Sequence, residues 1–140
     1  MKMKYKFLEH TADIKFQALG KNLEEVFCNC AYALTDSIIE TKIKSNKKIK
    51  FKVKGNDLEN LLYNFLEEFL FLCETENFVL SKIKNLKIEK KSKNYFLFCE
   101  ISGDKSKKYT IKEHVKAITY SEMFIKKIKG KFIAQVVLDV

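Results

Sequence analysis

The stretch that decides the fold is GKNLEEVFCNCAYALTDSI, residues 20–38. Its apolar residues recur at the spacing of one face of an α-helix. They are Leu23, Val26, Phe27, Cys30, Leu34 and Ile38. Asn22, followed three residues later by Glu25, is typical of a capping box, in which side chains accept hydrogen bonds from the first backbone N–H groups of a helix. We therefore predict an amphipathic helix that starts at Asn22 and buries one face.

A strand with strict alternation follows at residues 47–55, KKIKFKVKG. Three apolar residues alternate with four lysines, namely Ile49, Phe51 and Val53 with Lys48, Lys50, Lys52 and Lys54. This pattern predicts a half-buried strand with a solvated lysine face. The lysine row could contact phosphate, although protecting a sheet edge from aggregation is the commoner use of such a row.

A second helix is predicted over residues 56–78, NDLENLLYNFLEEFLFLCETENF, with Asn56 or Asp57 as its cap. Its buried stripe consists of Leu58, Leu61, Leu62, Phe65 and Phe69. Both predicted helices are long enough, and periodic enough, to pack on a sheet rather than stand alone.

The remaining chain reads as strands joined by short turns. The strand segments are LSKIKNLKIEK (80–90), NYFLFCEIS (94–102), KEHVKAITY (112–120), EMFIKKIK (122–129) and KFIAQVVLDV (131–140), and an apolar strand also opens the chain. Hairpin turns are expected at 91–94 and around Gly130, and a mobile loop at 102–108. No linker or internal repeat divides the chain. The order predicts one α+β domain over residues 1–140, with two helices packed on a largely antiparallel β-sheet.

The composition favours a soluble protein. Hydrophobic residues make up 46% of the 140 residues, which is too many for a disordered chain and enough for a buried core. No apolar run approaches the length that crosses a bilayer. The basic start leads into charged residues rather than into a signal-peptide core. We expect a cytoplasmic protein without membrane contact.

The charge is strongly positive, at a formal +9, and all 27 basic residues are lysine. A basic surface favours nucleic acid or an acidic partner. Bidentate contacts to guanine favour arginine, so a chain without arginine is poorly suited to reading a base sequence.

The four cysteines, Cys28, Cys30, Cys73 and Cys99, lie among apolar residues and form no CxxC pair. This pattern predicts small core residues in a reducing compartment rather than zinc ligands or disulfides.

Sequence motifs of common enzymes are missing: there is no P-loop, GxGxxG, GxSxG or HExxH. The two histidines are His10 and His114, and an isolated histidine beside a strand is usually structural. His10 has the more informative neighbours, because Thr11 and Asp13 in HTAD can both bond local backbone and set a turn.

The end of the chain gives Asp13 a second interpretation. Asp139 interrupts an apolar strand one residue before the carboxyl group of Val140. If the first and last strands lie together, as chain ends often do, three carboxylates converge and repel one another unless a cation neutralises them. Oxygen ligands of this kind suit Ca²⁺ or Mg²⁺ rather than zinc.

These residues also carry a family resemblance. YKFLEHTADIKFQALGKNLEEVFCNCAYALTDSI (5–38) resembles the start of the archease family, an aromatic–Leu–acid–His–Thr–Ala–Asp stretch followed by a Gly-Lys/Ser-x-Leu-Glu-Glu-hydrophobic-Phe helix. VKAITY (115–120) and QVVLDV (135–140) are similar to the family's Lys-Ala-Val-Thr-Tyr segment and its ending. The resemblance spans residues 5–140, and the three segments together make it specific, whereas HTAD alone would not.

Archeases are small accessory proteins of the tRNA-splicing ligase, which joins RNA cyclic-phosphate or 3′-phosphate ends to 5′-hydroxyl ends. They promote guanylylation of the ligase histidine, so that the ligase turns over repeatedly, and broaden its nucleotide use. The resemblance therefore implies an archease-like domain that activates an RNA ligase and is not itself an enzyme. Its partner would be the catalytic subunit of the ligase, with tRNA contacted indirectly.

The resemblance also implies a site, with no catalytic residue. Family members bind a divalent cation, commonly taken as calcium, with magnesium or manganese as alternatives. The implied ligands are Asp13, Asp139 and Val140. His10 and Lys116 are implied as contacts for the partner or for RNA, although an outward strand lysine is also ordinary.

One position departs from the family. Archeases commonly have histidine after Thr-Tyr, where this chain has Ser121. Any role of that imidazole is therefore not expected here.

Two other functions stay open. One is a general RNA-modification or protein-folding chaperone, which would act on partner solubility without requiring a cation. The other is a metal-dependent hydrolase, since an open cation site can activate water. For the hydrolase, the sequence offers no convincing general base beside the ion and no glycine or arginine residues placed to bind a substrate.

Overall fold

The computed structural model describes residues 4–10 and 12–140. The helices are α1 (Leu23–Ile38) and α2 (Leu58–Thr75), with a short 3-10 helix at Ser106–Lys108. The strands are β1 (Tyr5–Leu8), β2 (Ile14–Gly20), β3 (Lys47–Gly55), β4 (Val79–Lys91), β5 (Asn94–Asp104), β6 (Ala117–Ile128) and β7 (Lys131–Asp139). Both predicted helices and the bounds of the strand at 47–55 are confirmed.

The strands form two antiparallel sheets. One has the order β1-β2-β7-β6, and the other has the order β3-β5-β4. Helix α1 packs on β2 and β7 of the first sheet and on β4 of the second, while α2 packs on β6 and β3. The predicted class, two helices on antiparallel sheet, is confirmed. The sequence did not predict that the strands divide into two sheets, each in contact with both helices.

The helix starts follow the predicted capping chemistry with a small shift. The Asn22 side chain accepts a hydrogen bond from the Glu25 N–H at 2.8 Å. The Glu25 carboxylate accepts from the N–H of Lys21 at 3.1 Å, one residue before the expected partner. In α2 the cap is Asp57, which accepts from the Asn60 N–H at 2.7 Å. In each helix, the side chain of the capping residue therefore accepts a hydrogen bond from a backbone N–H group of the first turn.

The two helix starts share one local arrangement of strand end and helix. Each has a glycine at its strand end and an asparagine in its helix that bonds back to the strand. The amide of Asn29 donates to the Leu19 carbonyl at 2.7 Å, and that of Asn64 donates to the Lys54 carbonyl at 2.8 Å.

The glycines allow each strand to approach its helix closely. A Cβ atom on Gly20 would lie 2.4 Å from the Val26 backbone nitrogen, and one on Gly55 would lie 2.5 Å from that of Leu61. Since the contacts are with backbone atoms, a side chain there would push the strand away from the helix.

Three predicted strand boundaries need correction. The opening strand is a hairpin of β1 and β2. Residues 112–116 lie outside any strand, and the two strands expected over 112–129 are one strand, β6, with an irregularity. In that irregularity the pairing passes from Thr119 opposite Val137 to Phe124 opposite Gln135, which leaves four residues of β6 to bulge out opposite one of β7.

The mobile loop expected at 102–108 is also wrong. Its first three residues continue β5, and Asp104 is 1% exposed. The Asp104 carboxylate accepts from the Tyr109 hydroxyl at 2.7 Å and from the Lys105 N–H at 2.9 Å. These bonds, the one from Tyr109 first, together with Lys108, hold the pKa of Asp104 at about 2. A buried and fully bonded carboxylate fixes this segment in place.

The cysteines are free, as predicted. Burial raises the pKa of Cys28 to about 11 and that of Cys99 to about 12, so both thiols are protonated at neutral pH. Among residues 4–10 and 12–140, no helix is both long and apolar enough to cross a membrane.

The close approach at the glycines predicts a matched pair of effects on stability. Gly20→Ala and Gly55→Ala should each lower the free energy of unfolding by about 1–3 kcal/mol, because the added methyl groups press on backbone. Lys21→Ala, at the neighbouring exposed position, should change it by less than about 0.5 kcal/mol. Urea unfolding of the three variants measures this, and equal stabilities would show that the strands do not need this close contact.

Candidate functional site

The pairing of β2 with β7 brings the two predicted aspartates together. The last pair of this ladder is Ile14 with Leu138, so Asp13 and Asp139 are the next residues along the two strands. Asp139 follows Leu138 in β7, so its side chain lies on the face opposite the buried Leu138. Asp13 lies in the turn just before β2. Residues directly opposite each other on antiparallel strands have Cβ atoms about 5 Å apart. Asp13 keeps 34% of its side chain exposed, and Asp139 is exposed.

Strand β6 pairs with β7 on the edge away from β2, and there it contacts the backbone of Asp139. Ala117 pairs with Asp139, and the Lys116 N–H donates to the Asp139 carbonyl at 2.7 Å. The Lys116 side chain is exposed beside this contact. Val140 is half-buried against the core, so the chain is held to its last residue. The structure thus brings Lys116 and Val140 to the same end of the sheet as the two aspartates.

His10 stands at the tip of the β1–β2 hairpin, beside Asp13. Its Nε2 atom lies 2.9 Å from a Glu122 carboxylate oxygen, and its Nδ1 atom lies 3.6 Å from an Asp13 carboxylate oxygen. A carboxylate only accepts hydrogen bonds, so Nε2 carries the proton in this contact. Nδ1 is buried and has no hydrogen-bond partner in the described part of the chain.

Thr11 of the HTAD motif lies outside the described residues, so the prediction that it sets the turn is not addressed by the structure. The next residue, Ala12, has a φ of 69°, in the left-handed region. Asp13 follows directly, which agrees with the plain interpretation of it as a turn residue as well as with the carboxylate pair.

The β6 bulge positions Glu122 in this cluster. Glu122 has a φ of 54°, which is uncommon for a residue with a side chain. Its carbonyl accepts from the Gln135 side chain at 2.8 Å, although Gln135 belongs to β7. Val137, on the same face of β7, is only 1% exposed. The bulge therefore folds over β7 toward the β1–β2 hairpin and covers Gln135 and Val137, while Asp139 at the end of the strand stays exposed.

Lys15 completes the ion pairs of Glu122. The Lys15 ammonium lies 2.9 Å from the second Glu122 oxygen. Lys15 first, and His10 second, hold the pKa of the Glu122 carboxyl below its ordinary value. Sequence reasoning missed both Lys15 and Glu122, because one looks like any outward strand lysine and the other reaches the site only through the bulge.

Ser121 precedes Glu122 in the bulge and is exposed. Its N–H donates to the Thr119 hydroxyl at 3.2 Å, and that hydroxyl in turn donates to the Val137 carbonyl at 2.8 Å. The position at which the chain departs from the archease pattern is therefore next to the His10–Glu122 contact.

An open cleft of about 860 Å³ adjoins the cluster. His10, Asp13 and Lys15 line one side of it, and Lys112 and Glu113 of the segment before β6 line another. Asp139 lies outside this lining. The cleft gives a ligand or a partner side chain access to Asp13 from solvent.

Side chains supply only part of the ligand set that a hard cation would need. Within residues 4–10 and 12–140, no three His, Cys, Asp or Glu side chains are grouped so as to hold a metal ion by themselves. Asp13 and Asp139 are the residues that follow the last pair of the β2–β7 ladder, and carboxylate oxygens are the donors that Ca²⁺ or Mg²⁺ takes.

Comparison with known proteins gives a consistent result. The model of the archease protein family matches residues 5–140. The archease of Pyrococcus furiosus is 44% identical over 136 residues, covering 94% of this chain and 95% of that protein. The solution structure of protein 1598 from Methanobacterium thermoautotrophicum superposes with a TM-score of 0.85 at 32% identity, covering 98% of this chain and 99% of that chain. A crystal structure from Thermotoga maritima, named an archease and possible chaperone, shares the fold with a TM-score of 0.59 at 17% identity, covering 100% of this chain and 99% of that one.

The ion pairs predict how Glu122 titrates. Its lowered pKa means that its contacts stabilise the fold above the ordinary carboxyl pKa, and that this contribution is lost as the pH falls through the folded-state value. Carbon NMR of the carboxyl group should show that Lys15→Gln raises this pKa more than His10→Gln does. Lys21→Gln, at an exposed site elsewhere, should leave the pKa of Glu122 unchanged. An ordinary pKa for Glu122 in the unmodified protein would contradict the cluster.

Proposed function

Because the chain belongs to the archease family, we propose that it is an accessory activator of a tRNA-splicing RNA ligase. In this role it promotes guanylylation and repeated turnover of the ligase, which joins 3′-phosphate or cyclic-phosphate ends of RNA to 5′-hydroxyl ends. It performs no bond-making step itself. The observation that supports the proposal is the β2–β7 register, whose last pair, Ile14 with Leu138, makes Asp13 and Asp139 the next residues along the chain.

The proposed ligands of a divalent cation are Asp13, Asp139 and the main-chain carboxyl group of Val140. Calcium is the first choice, and magnesium and manganese are alternatives with the same preference for oxygen. When bound, a cation supplies positive charge and open coordination positions for oxygens of a partner or a phosphate. Three carboxylate ligands leave coordination positions of such an ion open, so the site suits one that is shared with a partner.

The chain's own residues orient this site. Glu122 fixes the His10 ring through Nε2, and Lys15 fixes Glu122, so Nδ1 of His10 is kept beside Asp13. The bulge that carries Glu122 excludes water from the β7 face beneath it, where Val137 is buried. Because the neighbouring residues already restrict the Asp13 carboxylate, it would lose little conformational entropy on docking to a partner.

The docking surface in this proposal is the end of the sheet around the cleft. His10 and the exposed Lys116 are the residues we propose as contacts for the ligase or its RNA. Their position, beside Asp13 and Asp139 respectively, supports a single contact area. We propose that tRNA is reached through the ligase and that the complex works in the cytoplasm, where the four free thiols would stay reduced.

The proposal predicts the outcome of multiple-turnover RNA ligation. With limiting ligase, GTP and a divalent ion, the unmodified protein should restore repeated turnover, and Asp13→Asn should restore little or none. The exposed Glu74→Gln, which removes one negative charge on α2, should activate as well as the unmodified protein. A chain extended beyond Val140 should activate poorly, whereas one extended at its start should activate fully.

The same assay separates the alternatives. If Asp13→Asn activates normally, the protein is an activator but the carboxylate site is not its means. If the unmodified protein raises the solubility of the ligase equally with and without divalent ions, a chaperone role replaces the proposal. If it does not stimulate a ligase shown to be active in a single turnover, the activator role is wrong.

A further inference from the structure

The second sheet has a face that the helices do not cover. Its order is β3-β5-β4, and α2 packs on the face that carries the apolar residues of β3. On the opposite face the middle strand β5 presents Phe96 and Phe98. Phe98 is 39% exposed and Phe96 is half-buried. Two phenylalanines on the water-facing side of a central strand are costly to keep exposed unless something stacks on them.

Lysines flank both rings. The register places Lys52 of β3 and Lys87 of β4 on either side of Phe98, and Lys54 beside Phe96. The Lys52 ammonium lies 5.9 Å from the Phe98 ring centroid, and the Lys54 ammonium lies 5.9 Å from that of Phe96. These distances are at the outer limit of a cation–π contact, about 6 Å, so either lysine can leave its ring without much loss.

The whole face is positively charged. Seven lysines lie on it in the strand register, and they are Lys48, Lys50, Lys52, Lys54, Lys82, Lys87 and Lys91. The acidic residues there are Glu89, held by Lys87 at 3.2 Å and by Lys91 at 3.8 Å, and Glu100, which pairs with Lys50 in the register. The lysines of β3 are two residues apart, so successive ammonium groups leave the strand at intervals of about 6.7 Å.

From this surface we infer that the outer face of the β3-β5-β4 sheet binds single-stranded nucleic acid without sequence preference. Phe98 and Phe96 are the stacking platform for unpaired bases, and the lysine row of β3 follows the phosphates. Aromatic rings interleaved with positive charge are what sequence-tolerant single-strand binding requires. A face with lysine and no arginine lacks the bidentate donors that read guanine, which agrees with tolerance of sequence.

A duplex fits this face less well, because its bases are already stacked and cannot use the exposed rings. An acidic protein would use the lysines but has no need of two aromatic rings on the central strand. The inference does not depend on the proposed ligase activation, because no residue of the candidate site lies on this face and the test contains no ligase.

Fluorescence anisotropy with a labelled oligouridylate tests the inference on the full chain. Phe98→Leu keeps an apolar side chain but removes the ring, and it should weaken binding about fivefold or more. Phe71→Leu is the matched control, since Phe71 is 49% exposed on α2 and should have no effect. Lys52→Gln should weaken binding and lower the slope of affinity against salt by about one ion. Thermal unfolding shows whether each variant is folded.

Binding of the RNA strand that depends on Phe98 supports the inference, whether or not DNA of the same sequence binds equally. Equal affinity for a duplex and a single strand would overturn it. Binding that responds to Lys52 but not to Phe98 would also overturn it and would leave a purely electrostatic surface suited to an acidic partner. No saturable binding at low salt would overturn it outright.

Discussion

The pairing of β2 with β7 is the constraint on which the first sheet and the candidate site both depend. It joins a strand near the start of the chain to the last strand, and without it the sheet would separate into the β1–β2 and β6–β7 hairpins. The pairs Phe16 with Val136 and Ala18 with Ala134 are fully buried, so the register is fixed by the core. A slip of one residue would turn these side chains to the opposite face, so the core itself sets which face Asp139 occupies.

Much of the fold was predictable because local chemistry and tertiary structure agree. The caps at Asn22 and Asp57, the alternation of β3 and the turn at Gly130, with a φ of 78°, are local patterns that the structure keeps. The shared strand–helix contact was not predicted, although a glycine followed nine residues later by an asparagine occurs in both segments. The segment at Asp104 was mistaken for a loop because its glycine, serine and lysines are typical of turns, and burial beside Tyr109 outweighs that preference.

For the site, the sequence predicted a pair of carboxylates, and it did not indicate the residues that lie around them. Asp13 and Asp139 are conspicuous because each interrupts an apolar run, and the strand register makes them neighbours. Glu122 carries no such signal. It reaches His10, 112 positions earlier in the chain, only because β6 bulges and folds over β7. The surrounding strands impose the left-handed backbone conformation on Glu122, and no local pattern of residues predicts that conformation.

Calcium titration of the isolated protein by calorimetry tests the central claim most directly, namely that Asp13 and Asp139 serve a single cation. It requires the unmodified protein, Asp13→Asn, Asp139→Asn and the double variant. We predict one site, a large loss of affinity in each single variant, and a double variant little worse than either, because the first substitution already removes the ion. An unmodified protein that binds no calcium, magnesium or manganese, or single variants that bind as it does, would contradict the claim.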